Sequence, residues 1–83
     1  MQKLSELAIG STAIVESVEG DRDVRRRLLE MGFCNRARVT AIRRAPLGDP
    51  TEFRIRGYYV SLRRDEAQHV LVARPARGPA LES

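Results

Sequence analysis

Cys34 and His69 are the side chains of this 83-residue chain whose types alone suggest reactive chemistry. One is a thiol that can act as a nucleophile, the other an imidazole that can serve as base or metal ligand. Each residue type occurs once. A Cys/His nucleophilic pair is conceivable, but no local signature joins the two, and neither belongs to a cluster with metal-ligand spacing. No serine sits in a nucleophile elbow, and no G-x-x-x-x-G-K-[ST] run cradles nucleotide phosphates. The carboxylates fall in turns and on helix faces, interleaved with arginine. Catalysis is therefore not expected, and neither is a cofactor or a resident metal. Cys34 reads as a small half-buried residue after a helix, His69 as a side chain at a strand edge.

Arginine is what the chain holds in quantity. The formal net charge is +4. Between Arg43 and Arg64 there are six Arg against Asp49 and Glu52, an excess of +4, so the remainder balances at nine basic and nine acidic residues. Asp65 and Glu66 lie just past that boundary. The positive surface thus belongs to one hairpin, and an acidic surface is its natural partner. Arg22, Arg25, Arg26 and Arg27 form a second cluster. There Glu19, Asp21, Asp23 and Glu30 match them in number, as on a solvated, salt-bridged helix face.

Ala45-Pro46-Leu47-Gly48-Asp49-Pro50 lies within the basic stretch. Each proline fixes its own φ and pushes the residue before it, Ala45 or Asp49, toward extended geometry. Gly48 tolerates the dihedrals of a turn opened by Pro46, and Asp49 can hydrogen-bond its own backbone. The expected result is a stiff exposed loop with Leu47 at its tip, an apolar side chain with little core to reach. The same residues also suit a plain tight hairpin.

Leu4 and Leu7 suggest a short helical turn ended by Gly10-Ser11. Thr12 to Val18 alternates as a first strand, with Ile14 and Val18 on one face and Ala13 and Val15 on the other. Asp21 to Met31 is the best helix: Asp21 is its N-cap, and Val24, Leu28 and Met31 make one stripe with Leu29 beside it. Gly32 is the C′ residue. Phe33 tucks under the helix end, and Asn35-Arg36 is a loose turn. Ala37 to Ala45 is a second strand carrying Val39 and Ile42. Phe53 and Ile55 alternate with Arg54 and Arg56, cations outward. After Gly57, Tyr58, Val60 and Leu62 alternate with Tyr59, Ser61 and Arg63. Asp65-Glu66-Ala67 makes an acidic turn, and Val70 and Val72 mark a last strand able to close a barrel.

The elements predict a mostly β fold, a small SH3-like, partly open β-barrel of about five strands, with one α-helix inserted between strands 1 and 2. Residues 1–74 form the domain, and 75–83, rich in Pro, Gly and Ala, read as a disordered tail. No apolar run approaches the ~20 residues of a membrane-spanning helix, and no signal-peptide h-region opens the chain. With one cysteine and therefore no intrachain disulfide, a cytoplasmic location is expected.

The runs Leu4-x-x-Leu7-x-x-Gly10, Arg27-Leu28-x-Glu30-Met31-Gly32-Phe33, Ala45-Pro46-Leu47-Gly48-Asp49-Pro50, Arg56-Gly57-Tyr58 and Leu62-Arg63-Arg64-x-Glu66-Ala67 together resemble the FeoA family. These are small cytoplasmic components of bacterial ferrous iron uptake. The resemblance covers about residues 4 to 73 and departs at Asn35-Arg36, where the family usually has Pro-Gly. The same fold serves as the C-terminal domain of iron-dependent repressors, but no helix-turn-helix precedes it here. The resemblance implies an SH3-like accessory module, monomeric or weakly oligomeric. It would act on FeoB, a membrane permease with a cytoplasmic GTP-binding domain, and meet the membrane only through that partner.

Candidate contacts are Leu47 and Tyr59 for affinity, with Arg43, Arg54, Arg56 and Arg63 for rate and orientation. Tyr59 packed under the helix with solvated arginines is the alternative. Arg27 is a conceivable finger in a partner's GTPase site, though an Arg at that place more often makes a structural salt bridge. Two other classes remain. A small basic barrel can bind nucleic acid, but adjacent Tyr58 and Tyr59 point to opposite faces and make no stacking platform. A metal-binding or metal-sensing domain would have only Cys34, His69 and scattered carboxylates to offer.

Overall fold

The computed structural model describes residues 1–74, so the expectation of a disordered tail over 75–83 lies outside the described residues. Six strands form one antiparallel sheet: β1 Gln2–Lys3, β2 Thr12–Val18, β3 Arg38–Arg44, β4 Thr51–Ile55, β5 Tyr58–Leu62 and β6 Val70–Ala73. Their order is β1-β6-β2-β3-β4-β5. The five strands visible as alternation are all present. Helix α1, Arg22–Glu30, is inserted between the first two of them, β2 and β3.

Two elements escaped the sequence reading. Strand β1 is two residues long, too short for alternation to register, and pairs Gln2 with Val72 and Lys3 with Leu71. It leads into a 3-10 turn at Leu4–Glu6 that buries Leu4. The expected acidic turn is a one-turn helix, α2, Arg64–Ala67, preceded by Arg63, whose N–H donates to Glu66 Oε1 at 3.0 Å. The barrel is not closed by the last strand. Strand β6 pairs with β2 and β1 and leaves β5 as a free edge, and α2 packs against β5 and the 3-10 turn.

The inner sheet face is the core. Val15, Val39, Ala41, Phe53, Ile55, Leu62, Val70 and Val72 are buried there, and among the described residues no polar or charged residue is. Two bulges curl the sheet, and the first corrects an assignment by simple alternation. The shift between Val15 and Ser17 returns Val18 to the core side with Ala13 and Val15, so Val18 does not share a face with Ile14. Val39 shares the core face with Ala41, two residues on and before the shift between Ala41 and Arg43, while Ile42, expected beside Val39, stays half-buried outside the core cluster.

Helix α1 follows local rules. Asp21 caps it, Oδ1 accepting from the Val24 N–H at 2.9 Å. Leu28 is buried, Val24 and Met31 lie against the core, and Leu29 is 45% exposed at the stripe's margin. Gly32 takes φ +107° and ends the helix, so that Phe33 turns back beneath it and is fully buried.

Candidate interaction surface

The loop between β3 and β4 is built as its residues demand. The Gly48 N–H donates to Ala45 O at 2.7 Å, closing a turn with Pro46 at its first central position. The Ala45 N–H donates to Pro50 O at 2.9 Å across the base, and the Asp49–Pro50 peptide is cis. Asp49 does not bond its own backbone. Its Oδ1 instead accepts from the Arg64 N–H at 3.0 Å, capping α2 and tying the loop to it. Leu47 stands at the tip, 97% exposed. Arg43 pairs with Glu52 at 3.0 Å at the loop's base. Arg63 is exposed nearby, following the Leu62 that pairs with Thr51.

A second feature occupies the outer sheet face toward the other end of the same hairpin. One cross-strand row runs Thr12, Thr40, Arg54, Tyr59 across four strands. Thr12 and Thr40 join through their hydroxyls at 2.8 Å. Arg38 and Arg56 occupy the positions just beyond the Val39–Ile55 pair, and with that row they line a depression of about 500 Å³. Among the described residues, Arg38, Arg54 and Arg56 have no carboxylate at ion-pair distance, and Glu52 on β4 is already held by Arg43. Arg56 donates to Cys34 Sγ at 3.6 Å.

The predicted contact residues therefore divide. Leu47, Arg43 and Arg63 gather at the loop end, while Arg54, Arg56 and Tyr59 gather in the groove. The length of β3, at ~3.3 Å per residue, puts the two ends roughly 20 Å apart. Arg27 belongs to neither group: it pairs with Glu66 of α2, the structural salt bridge considered for it. Tyr59 does not pack under the helix. It is 57% exposed, and Tyr58 reaches α1 instead, donating its hydroxyl to Met31 O at 2.6 Å. Arg38 is the groove member that sequence reasoning missed, because the basic window was opened at Arg43. Its signal was its place two residues before Thr40 on the strand that pairs with Arg54.

Cys34 and His69, the two candidate reactive side chains, are placed at different ends of α1. Cys34 lies past the end of α1, whereas His69 packs against Gly20 before its start. Among the described residues, no three His, Cys, Asp or Glu side chains stand close enough to hold a metal. No described helix is long and apolar enough to cross a membrane.

An open, helix-inserted antiparallel barrel with a rigid apolar-tipped loop and a cationic groove defines a small SH3-like domain. Comparison with known proteins makes the class definite: residues 2–74 match the FeoA domain model. The chain belongs to the FeoA family. It is 46% identical, over 70 residues, to the Fe(2+) transport protein A/Fe(2+) transporter FeoB fusion protein of Porphyromonas gingivalis. That match covers 84% of this chain but only 8% of the fusion protein's length. The solution structure of FeoA from Chlorobium tepidum superposes with a TM-score of 0.83 at 43% identity, covering 90% of this chain and 71% of that one. FeoA from Stenotrophomonas maltophilia, a zinc complex described as an SH3 domain protein, gives 0.77 at 32% identity over 88% and 91% of the two chains.

Proposed function

We propose that this chain is a non-catalytic, cytoplasmic accessory protein of ferrous iron uptake that binds the cytoplasmic region of a FeoB-like membrane GTPase and regulates it. The observation carrying this reading is the fusion relative, in which the same kind of domain and a FeoB transporter share one polypeptide. Tethering maintains a high effective concentration of one module near another, an arrangement useful when the two touch. On this chain the loop supplies the anchor. Leu47 is held out by Pro46, by the Ala45–Pro50 closure and by the Asp49 contact to α2, so little order remains to be imposed on binding. Arg43 and Arg63 flank it and orient an acidic surface. The chain acts as a monomer or weak oligomer, and the membrane is met through the partner.

The test is binding of the purified chain to the cytoplasmic region of the FeoB encoded in the same genome. Leu47→Asp is expected to weaken binding by about 30-fold or more, the range of a central apolar anchor, with unchanged thermal stability. Undiminished affinity removes the loop from the interface, and no binding by the unaltered chain overturns the reading.

A further inference from the structure

We infer that the outer-face groove of Arg38, Arg54, Arg56 and Tyr59 is a binding site for a small polyphosphate anion, the di- or triphosphate of a free nucleotide. Arg38 on β3, Arg54 on β4 and Arg56 in the turn after β4 line one depression without a carboxylate among its lining residues. Like charges set side by side on a sheet repel one another. Here no described ion pair relieves them, although Arg26, Arg27 and Arg43 all find acidic partners elsewhere on the same domain. The groove is thus left one multivalent anion short of neutrality.

Charge density selects the occupant. Same-face side chains of an extended acidic peptide recur about every 7 Å, each bringing a single negative charge. Contiguous phosphates concentrate two to four charges within one such step, matching three arginines that line one hollow, of which Arg56 also touches Cys34 Sγ. Guanidinium groups bind phosphate oxygens bidentately, and the Tyr59 hydroxyl and whichever of the Thr12 and Thr40 hydroxyls accepts from the other add neutral donors around the rim. A P-loop does this with backbone N–H groups, but here side chains on a rigid sheet take the role. The depression, about 500 Å³, is of a size usual for small-molecule sites. Tyr59 ends the row half-exposed and offers a single ring face, enough for one base and too little to track a strand.

This site does not depend on the partner reading, because its test uses the isolated full chain. Amide resonances are followed at 150 mM salt during titration with inorganic pyrophosphate, GTP, ATP, a glutamate-rich peptide and anionic phospholipid vesicles. Saturable shifts centered on Thr40, Arg54 and Tyr59 are expected with pyrophosphate and nucleotide, with half-saturation below about 1 mM. Arg38→Gln with Arg54→Gln should weaken both at least about tenfold, while Arg22→Gln with Arg25→Gln on α1 leaves them unchanged. Tyr59→Ala should cost nucleotide binding about fivefold and pyrophosphate nothing. The inference is overturned by failure to saturate, by shifts centered on α1, or by equal losses in both arginine pairs. It is likewise overturned if peptide or vesicles occupy the groove and pyrophosphate cannot displace them.

Discussion

Helix α1 and the paired strands β3 and β4 carry the same residue in the same number and set it in different surroundings. On α1 the arginines are Arg22, Arg25, Arg26 and Arg27; on the strands they are Arg38, Arg43, Arg44 and Arg54. Helical geometry brings residues three or four apart together, so Arg26 finds Asp23 within the helix; Arg27 reaches Glu66 on α2 by tertiary packing, and Arg22 and Arg25 have no described ion pair. Strand pairing sets Arg54 on the outer face near Arg38, and Arg56 joins them from the turn after β4, with threonines and a tyrosine for company. Counting charges treats the two regions alike. What separates them is where the local period sets the cations: along a helix face that also carries Asp23, or beside one hollow that no carboxylate lines.

The largest effect expected from breaking this arrangement lies at the joint between the two regions. Gly32 adopts φ +107°, and a Cβ there would come within 2.6 Å of the Tyr58 hydroxyl. Gly32→Ala should therefore destabilize the fold by about 2 kcal/mol, from left-handed strain plus loss of the Tyr58–Met31 bond. For a domain of this size that is roughly 10 °C in Tm. Combining it with Tyr58→Phe removes the clashing oxygen, so the double variant should lose less than the two single losses added. Strict additivity in thermal melts would show that the helix end is not pinned by this tyrosine.

A smaller contrast tests the arginines themselves. Arg27→Gln breaks a partly exposed ion pair and should cost about 0.5–1 kcal/mol in urea unfolding. Arg54→Gln breaks none and relieves like-charge crowding, so its effect should stay within about 0.5 kcal/mol and lean toward stabilization. If Arg54→Gln proves the more damaging, the groove is structural and the contrast between the regions fails.

Most of the architecture was legible because its causes are local. Asp21, the Val24–Leu28–Met31 stripe and Gly32 are sufficient to place α1, and the Phe53/Ile55 alternation places β4 with its cations outward. The bulges were not legible. An extra residue at Glu16 changes whether Val18 faces the core, yet it depends on the register of a partner strand distant in sequence. Asp49 teaches the same lesson: its own neighbors suggest a self-contained turn, but its acceptor is taken by Arg64, 15 residues away. The division of Leu47 from the groove arginines was hidden as well, because one hairpin in sequence is two separate ends in space.

The smallest prediction concerns the turn at Asn35-Arg36, between α1 and β3. Arg36 holds φ +74°, a left-handed conformation that costs a side-chain-bearing residue about 1–2 kcal/mol relative to glycine. The turn cannot relax, because the Arg36 N–H donates to Val15 O at 2.7 Å and the Val15 N–H to Ala37 O at 2.9 Å, joining the turn to β2. Arg36→Gly removes the strain but enlarges the freedom of the unfolded chain, a loss of about 0.4–1 kcal/mol. The balance should be a net gain of about 0.5 kcal/mol, a rise of roughly 2–4 °C in Tm. Sign matters more than size here. A fall in Tm would mean that the Arg36 side chain supplies more than its backbone takes away, and the basic surface would then extend past the groove to the foot of α1.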